Sequence, residues 1–153
     1  VSIADRLAEL GLSIPSVAAP VAAYVPAVVT GRYVHTAGQL PFVDGALSVT
    51  GKVGAGVDPE TAAAEARTAV LNALAAVQSV AGSLDRVARV VKVTVFVASD
   101  PSFTGQPAVA NGASTLVGEV FGDAGVHARS AVGVAVLPLD APVEVELVVE
   151  LTD

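Results

Sequence analysis

Cysteine and methionine are both missing from this 153-residue sequence. Disulfides, thiolate nucleophiles and cysteine-ligated zinc are thereby excluded. Histidine is scarce: only His35 and His127 occur, in neither an HExxH nor a facial-triad spacing, so no metal or other cofactor is expected. Charge is short as well, at 15% of residues against roughly a quarter in an average soluble protein, while 53% are apolar with an excess of Ala and Val. So few charges cover a monomer's surface poorly, which leads us to expect a homo-oligomer with apolar interfaces; an alanine-rich genome is the alternative explanation. Fifteen acidic residues outnumber eight basic ones for a net charge of −7, which argues against a protein that tracks phosphate backbones, so no nucleic-acid partner is expected.

The opening "VSIADRLAELGLSI" reads as a short amphipathic helix with Ile3, Leu7 and Leu10 roughly on one face, and it lacks the basic start and apolar centre of a signal peptide. The uncharged run from Leu10 to Gly31 is interrupted by Pro15, Pro20 and Pro26, so it reads as a loop feeding a strand rather than a membrane span. A single domain over residues 1–153, no membrane partner and a cytoplasmic location are the corresponding expectations.

What is present is strand and helix signal in clear order. Val28 and Val29, then Gly31-Arg32, then Tyr33-Val34-His35 predict a hairpin with a II′ turn, and Asp44-Gly45 predicts a I′ turn. Asp58 as N-cap, Pro59 at the first helical position, Glu60 beside it and Gly82 as the stop predict a long helix whose apolar stripe is Ala66, Val70, Ala73, Leu74 and Val77. In "RVARVVKVTVFVAS" alternation predicts a strand with Val91, Val93, Val95 and Val97 on one face. A second helix is expected from Gln106-Pro107 to Phe121, closed by Gly122 and Gly125. Two last strands, Ser130 to Val136 and Val143 to Leu151, complete a β-β-α-β-α-β-β order, which implies an α/β (α+β) mixed sheet with helices on one face.

Two glycine- or serine-bearing stretches carry little chemistry. "GAST", Gly112 to Thr115, lacks the GxSxG elbow of a serine hydrolase and falls inside the second helix; "GKVGAG", Gly51 to Gly56, lacks the Lys-Ser/Thr pair of a phosphate loop and reads as a flexible loop. Arg129, in "HARSAVGVAVLP", is different, because it alone among the basic residues stands at the start of a long uncharged β run. A buried, unpaired guanidinium costs several kcal/mol, roughly, so it calls for an anionic partner. Two partners fit: Glu144 or Glu146 on a neighbouring strand, or the carboxylate of a ligand received by the guanidinium fork.

"TAGQLP" (Thr36 to Pro41), "ARSAVGVAVLP" (Ala128 to Pro138) and "VEVE" (Val143 to Glu146) together resemble the RidA/YjgF family of reactive-intermediate deaminases, also known as L-PSP endoribonucleases, over nearly the whole chain from about Pro20 to Glu150. The resemblance implies a chorismate-mutase-like fold, a homotrimer with clefts between subunits, and hydrolytic deamination of small imines or enamines such as 2-aminoacrylate to 2-keto acids and ammonia. It further implies that Arg129 anchors the substrate carboxylate, that Glu144 positions the attacking water, and that Tyr24, Ala37, Gly38, Gln39, Asn111, His127 and Ala131 lie along the cleft. The sequence departs from the better-known branch at Ala37, where that branch has Ser, at Ala131, where it often has Cys, and at His127, where it has Pro. The first two changes remove polar contacts and the third adds a titratable group, so a non-catalytic trimer that binds small carboxylates is the competing expectation. An endoribonuclease follows only from the family's inherited label.

Overall fold

The computed structural model describes residues 1–17 and 23–153; Pro20 and its neighbours in the proline-interrupted loop lie outside the described residues. A short helix α1 (Ile3–Glu9) opens the chain, capped by Ser2, whose hydroxyl accepts from the Asp5 backbone N–H while the Asp5 carboxylate accepts from the Ser2 N–H. Strands β1 (Ala27–Thr30) and β2 (Tyr33–Thr36) follow as the expected hairpin. Gly31 has a φ of +58° and Arg32 does not share the left-handed region, which is the II′ pattern; Asp44 and Gly45, at +50° and +79°, both do, as a I′ turn requires.

The long helix α2 (Pro59–Ala81) begins at Asp58, which accepts from the Thr61 N–H, and ends at Gly82 with φ +85°. All five residues of its predicted stripe are fully buried. Small side chains on that stripe let the helix settle close to the sheet beneath it. Strand β3 (Val87–Ala98), helix α3 (Gln106–Phe121), strand β4 (Ala128–Val134) and strand β5 (Val143–Leu151) complete the domain. The sheet order is β1-β2-β5-β3-β4, with β3 and β4 parallel, α3 crossing between them, and every other pair antiparallel. The result is the expected mixed sheet covered by helices on one face.

Strand β5 alternates as its sequence does: Val143, Val145, Leu147, Val149 and Leu151 are buried under the helices and the residues between them are not. Strand β3 corrects the expected alternation. Two bulges, at Val87–Arg89 and Val90–Lys92, set two residues of β3 against one of β5, so Val90 rather than Val91 joins Val93, Val95 and Val97 in the core. Strand β4 starts and stops two residues before the span read from sequence, because its only partner, β3, runs from Lys92 opposite Ala128 to Ala98 opposite Val134 and ends there. Arg129 therefore lies within the strand and not ahead of it.

The Gly51–Gly56 stretch is not loose. Val53 is fully buried, its N–H donates to the Ala98 carbonyl at 2.7 Å, its carbonyl accepts from the Asp100 N–H at 2.9 Å, and Lys52 pairs with Asp140. Among the described residues no helix is long and apolar enough to cross a membrane, and no group of His, Cys, Asp or Glu is arranged to hold a metal ion.

Candidate functional site

Strand register decides which side of the sheet each candidate faces. Arg129 is the neighbour of Val93 and Ala131 of Val95, both fully buried beneath the helices, so Arg129 projects to the helix-covered side at the sheet edge. There α3 meets it. One guanidinium nitrogen, Nη1, donates to Asn111 Oδ1 at 2.7 Å and to Ser114 Oγ at 3.2 Å. Asn111 and Ser114 are three residues apart, which places them on one face of the helix.

His127 enters the same group. Its Nδ1 lies 2.6 Å from the Gly125 carbonyl oxygen and its Nε2 lies 2.9 Å from Ser114 Oγ. A carbonyl only accepts, so Nδ1 carries a proton, and in the neutral ring Nε2 accepts from the Ser114 hydroxyl. Ala131, the next residue on this side of β4, is partly buried and packs against the main core.

Glu144 and Glu146 lie elsewhere. Glu144 is opposite Phe96 and Glu146 opposite Thr94, on the open face of the sheet, whereas Arg129 neighbours Val93 on the covered face. An internal pair between Arg129 and either glutamate, one of the two arrangements compatible with the sequence, is therefore ruled out. Strand β3 stands between β4 and β5, so the backbones are about 10 Å apart across the sheet, with the sheet itself in the way. Among the described residues Arg129 belongs to none of the five ion pairs.

Around Glu144 the "TAGQLP" segment folds back. Gln39 and Val145 exchange backbone hydrogen bonds at 2.8 and 2.9 Å, and the Ala37 N–H donates to the Pro26 carbonyl at 2.7 Å. Gly38 is there for space: a Cβ on it would stand 2.0 Å from Glu144 Oε1. Tyr24 is half exposed in the segment that leads into β1. The candidates thus divide into an Arg129–Asn111–His127 group on the covered side, with Ala131 beside it, and a Gly38–Glu144 contact on the open side, while Gln39, as the partner of Val145, faces the covered side and Ala37 lies in the segment between. Ser114 joins the first group and was not singled out as a site residue from sequence, where it figured only as a poor nucleophile. Its three-residue spacing from Asn111 puts both on one helix face, but nothing local in the sequence ties that face to Arg129.

Burial, and secondarily the like charge of Glu146 two residues on, push the Glu144 carboxyl above the usual glutamate range. A proton is thus held more tightly in the folded chain than in the unfolded one. Stability from this group is fully present below the ordinary glutamate value of about 4.3 and is lost as pH rises through the raised folded value. Replacing Glu144 by Gln removes the penalty of the ionised form: thermal melts at pH 7 are expected to show a gain of about 1–3 °C, kept small because water screens a half-exposed carboxylate. At pH 3.5 the gain should vanish, and an equal gain at both values would rule out the ionisation as its source.

Comparison with known proteins follows the same outline. A family model described as "YjgF/chorismate_mutase-like, putative endoribonuclease" matches residues 4–151. Protein TCP17 of Trypanosoma cruzi is 48% identical over 152 residues, covering 99% of this chain and 95% of that protein. The crystal structure of "a putative endoribonuclease" from Shewanella oneidensis superposes with a TM-score of 0.95 at 33% identity over 99% of this chain and 100% of that one. A more distant likeness is to TdcF of E. coli crystallised with bound serine, with a TM-score of 0.62 at 26% identity over 90% of this chain and 93% of that one.

Proposed function

The chain belongs to the YjgF/chorismate-mutase-like family, and on that premise we propose that it hydrolyses small imines or enamines of 2-aminoacrylate type to 2-keto acids and ammonia. One observation carries the proposal: Arg129 is held in place by two neutral acceptors, both through Nη1, and among the described residues no carboxylate neutralises it. Among the described residues its Nε–H and both Nη2–H groups have no partner, and Nε–H with the adjacent Nη2–H forms an edge that receives a carboxylate through two parallel hydrogen bonds. The serine bound to TdcF is a small amino acid of the same chemical class as such a ligand.

With the carboxylate held, the C=N carbon is the electrophile. An enamine first tautomerises to the imine; water then adds to that carbon, Glu144 takes the water proton and passes it to the nitrogen, and the carbinolamine expels ammonia as its hydroxyl proton follows to the nitrogen by the same carboxylate, leaving the 2-keto acid. The chemistry is undemanding, since an imine already reacts with water and needs chiefly positioning and a base. A carboxyl pushed upward by burial is the stronger base for that task.

Arg129 and Glu144 of one chain sit on opposite faces of one sheet, so a small substrate cannot touch both. In this reading the site closes between copies, with Arg129 from one and Glu144 from the next. Support for assembly comes from the open face, where Val28, Tyr33 and Val132 are exposed, and from the scarcity of charge. The open face sets Arg89 and Lys92 beside Glu144, Glu146 and Glu150, the last of them paired with Arg32, so it is no cationic track for RNA, and the net charge of −7 speaks against endoribonuclease activity.

Generating 2-aminoacrylate enzymatically in the presence of the protein and following imine loss tests the reading. Acceleration that Glu144→Gln abolishes is the expected result. No acceleration, with carboxylate binding intact, would establish the non-catalytic carboxylate-binding alternative, which the apolar Ala37 and Ala131 favour.

A further inference from the structure

Ser114 and His127 have no part in the reaction as written, yet they are joined to its anchor by an unbroken chain of hydrogen bonds. The chain runs from the Gly125 carbonyl to His127 Nδ1, from His127 Nε2 to Ser114 Oγ, and from Ser114 Oγ to Arg129 Nη1, at 2.6, 2.9 and 3.2 Å. Gly125 is pressed against α3, where a Cβ on it would meet the Val117 carbonyl oxygen at 2.5 Å, so the carbonyl that orients the imidazole is itself fixed. Both ring nitrogens are engaged. The contact His127 makes with Arg129 therefore runs through Ser114.

We infer that Ser114 and His127 are positioning residues of the Arg129 anchor, and that through them the grip on a small carboxylate is coupled to one proton on His127. The inference rests on the reading of Arg129 as a carboxylate anchor. With neutral His127, the Ser114 hydroxyl donates to Nε2 and accepts from Arg129. When His127 is protonated, Nε2–H becomes a donor, Ser114 Oγ accepts from both neighbours, and its own proton turns outward. The pocket then offers one more donor and one more positive charge beside the guanidinium. A bound carboxylate attracts an imidazolium beside the guanidinium as it attracts the guanidinium itself, so anion binding and proton uptake reinforce one another.

Other charges nearby are few. The only ionisable side chain on α3 is Glu119, which is tied to Arg67 of α2 at 3.1 Å. Asp123 lies exposed in the 3-10 turn Gly122–Gly125, and on β3 Lys92 is exposed opposite Ala128. Neither makes a hydrogen bond or an ion pair to His127 among the described residues.

Pyruvate titrated calorimetrically between pH 5.5 and 8.5, in two buffers of different ionisation heat, reads the coupling. The unaltered protein should bind about fivefold more tightly at the low end and take up protons on binding, the size expected for one added charge at this range in a partly solvated site. His127→Gln should lose most of that dependence while still binding, Ser114→Ala should bind more weakly and lose it too, and Ser114→Thr should restore it. Glu144 titrates in all of these proteins and cancels in the comparison. Binding that needs Arg129 but has the same pH slope in His127→Gln as in the unaltered protein overturns the inference alone. Absence of pyruvate binding, or equal binding by Arg129→Ala, overturns the anchor as well.

Discussion

Gly112→Ala is expected to lower the thermal midpoint by about 6–12 °C, a loss of roughly 3 kcal/mol for a domain of this size. Gly112 lies on α3 where it crosses α2, and a Cβ there would stand 1.9 Å from the Ala63 carbonyl oxygen and 2.7 Å from the Ala63 carbonyl carbon. Both contacts are backbone, so no side chain can swing aside; one helix must move off the other. Ala62, Ala66, Val109 and Ala113 are buried in the core that the two helices share, and that packing would loosen together with the contact. Because Asn111 and Ser114 flank Gly112, displacement of α3 also shifts the two acceptors that hold Arg129. Thermal melts and pyruvate titration of the same variant should therefore both report damage. A midpoint within 2 °C of the unaltered protein would show that the helices separate at little cost.

Arg129→Ala should produce the opposite signature, with pyruvate affinity falling by about 100-fold, near 2.7 kcal/mol, and the thermal midpoint almost unchanged. The binding loss follows from removing a charged, two-point hydrogen-bond donor that no described residue of its own chain neutralises. The small stability effect follows from its place: β4 is an edge strand, Arg129 is partly exposed and forms no ion pair among the described residues, and Asn111 is open to water that can replace the lost hydrogen bond. Arg129→Lys keeps the charge without the fork and should recover only part of the affinity. Calorimetry and a melt on each variant separate the two effects. A large fall in the midpoint for Arg129→Ala would mean that the guanidinium serves chiefly to hold α3 against β4.

Much of the architecture was legible because local chemistry and global fold agree. Asp58, Pro59 and Gly82 delimit α2 as written, since a cap, a fixed φ and a left-handed stop act within a few residues of themselves. The turns at Gly31-Arg32 and Asp44-Gly45 and the alternation of β5 are equally local. In β3 the alternation read from sequence failed at Val90 and Val91, because a bulge is set by the register of the partner strand and leaves no mark in a run where nearly every residue is apolar.

For the site, the sequence by itself determined the inventory: one arginine ahead of an uncharged β run, the Glu144–Glu146 pair, no cysteine, two histidines and too little charge for nucleic acid. Only the tertiary structure decided the arrangement. A residue's face in a sheet depends on the parity of its pairing, so the registers of β4 and β5 on β3 set Arg129 and Glu144 on opposite sides, and β3 between them excluded the internal salt bridge expected of neighbouring strands. The crossover through α3 then brought Ser114 to His127 and Arg129, a contact formed by docking a helix on a strand edge and written in no local spacing.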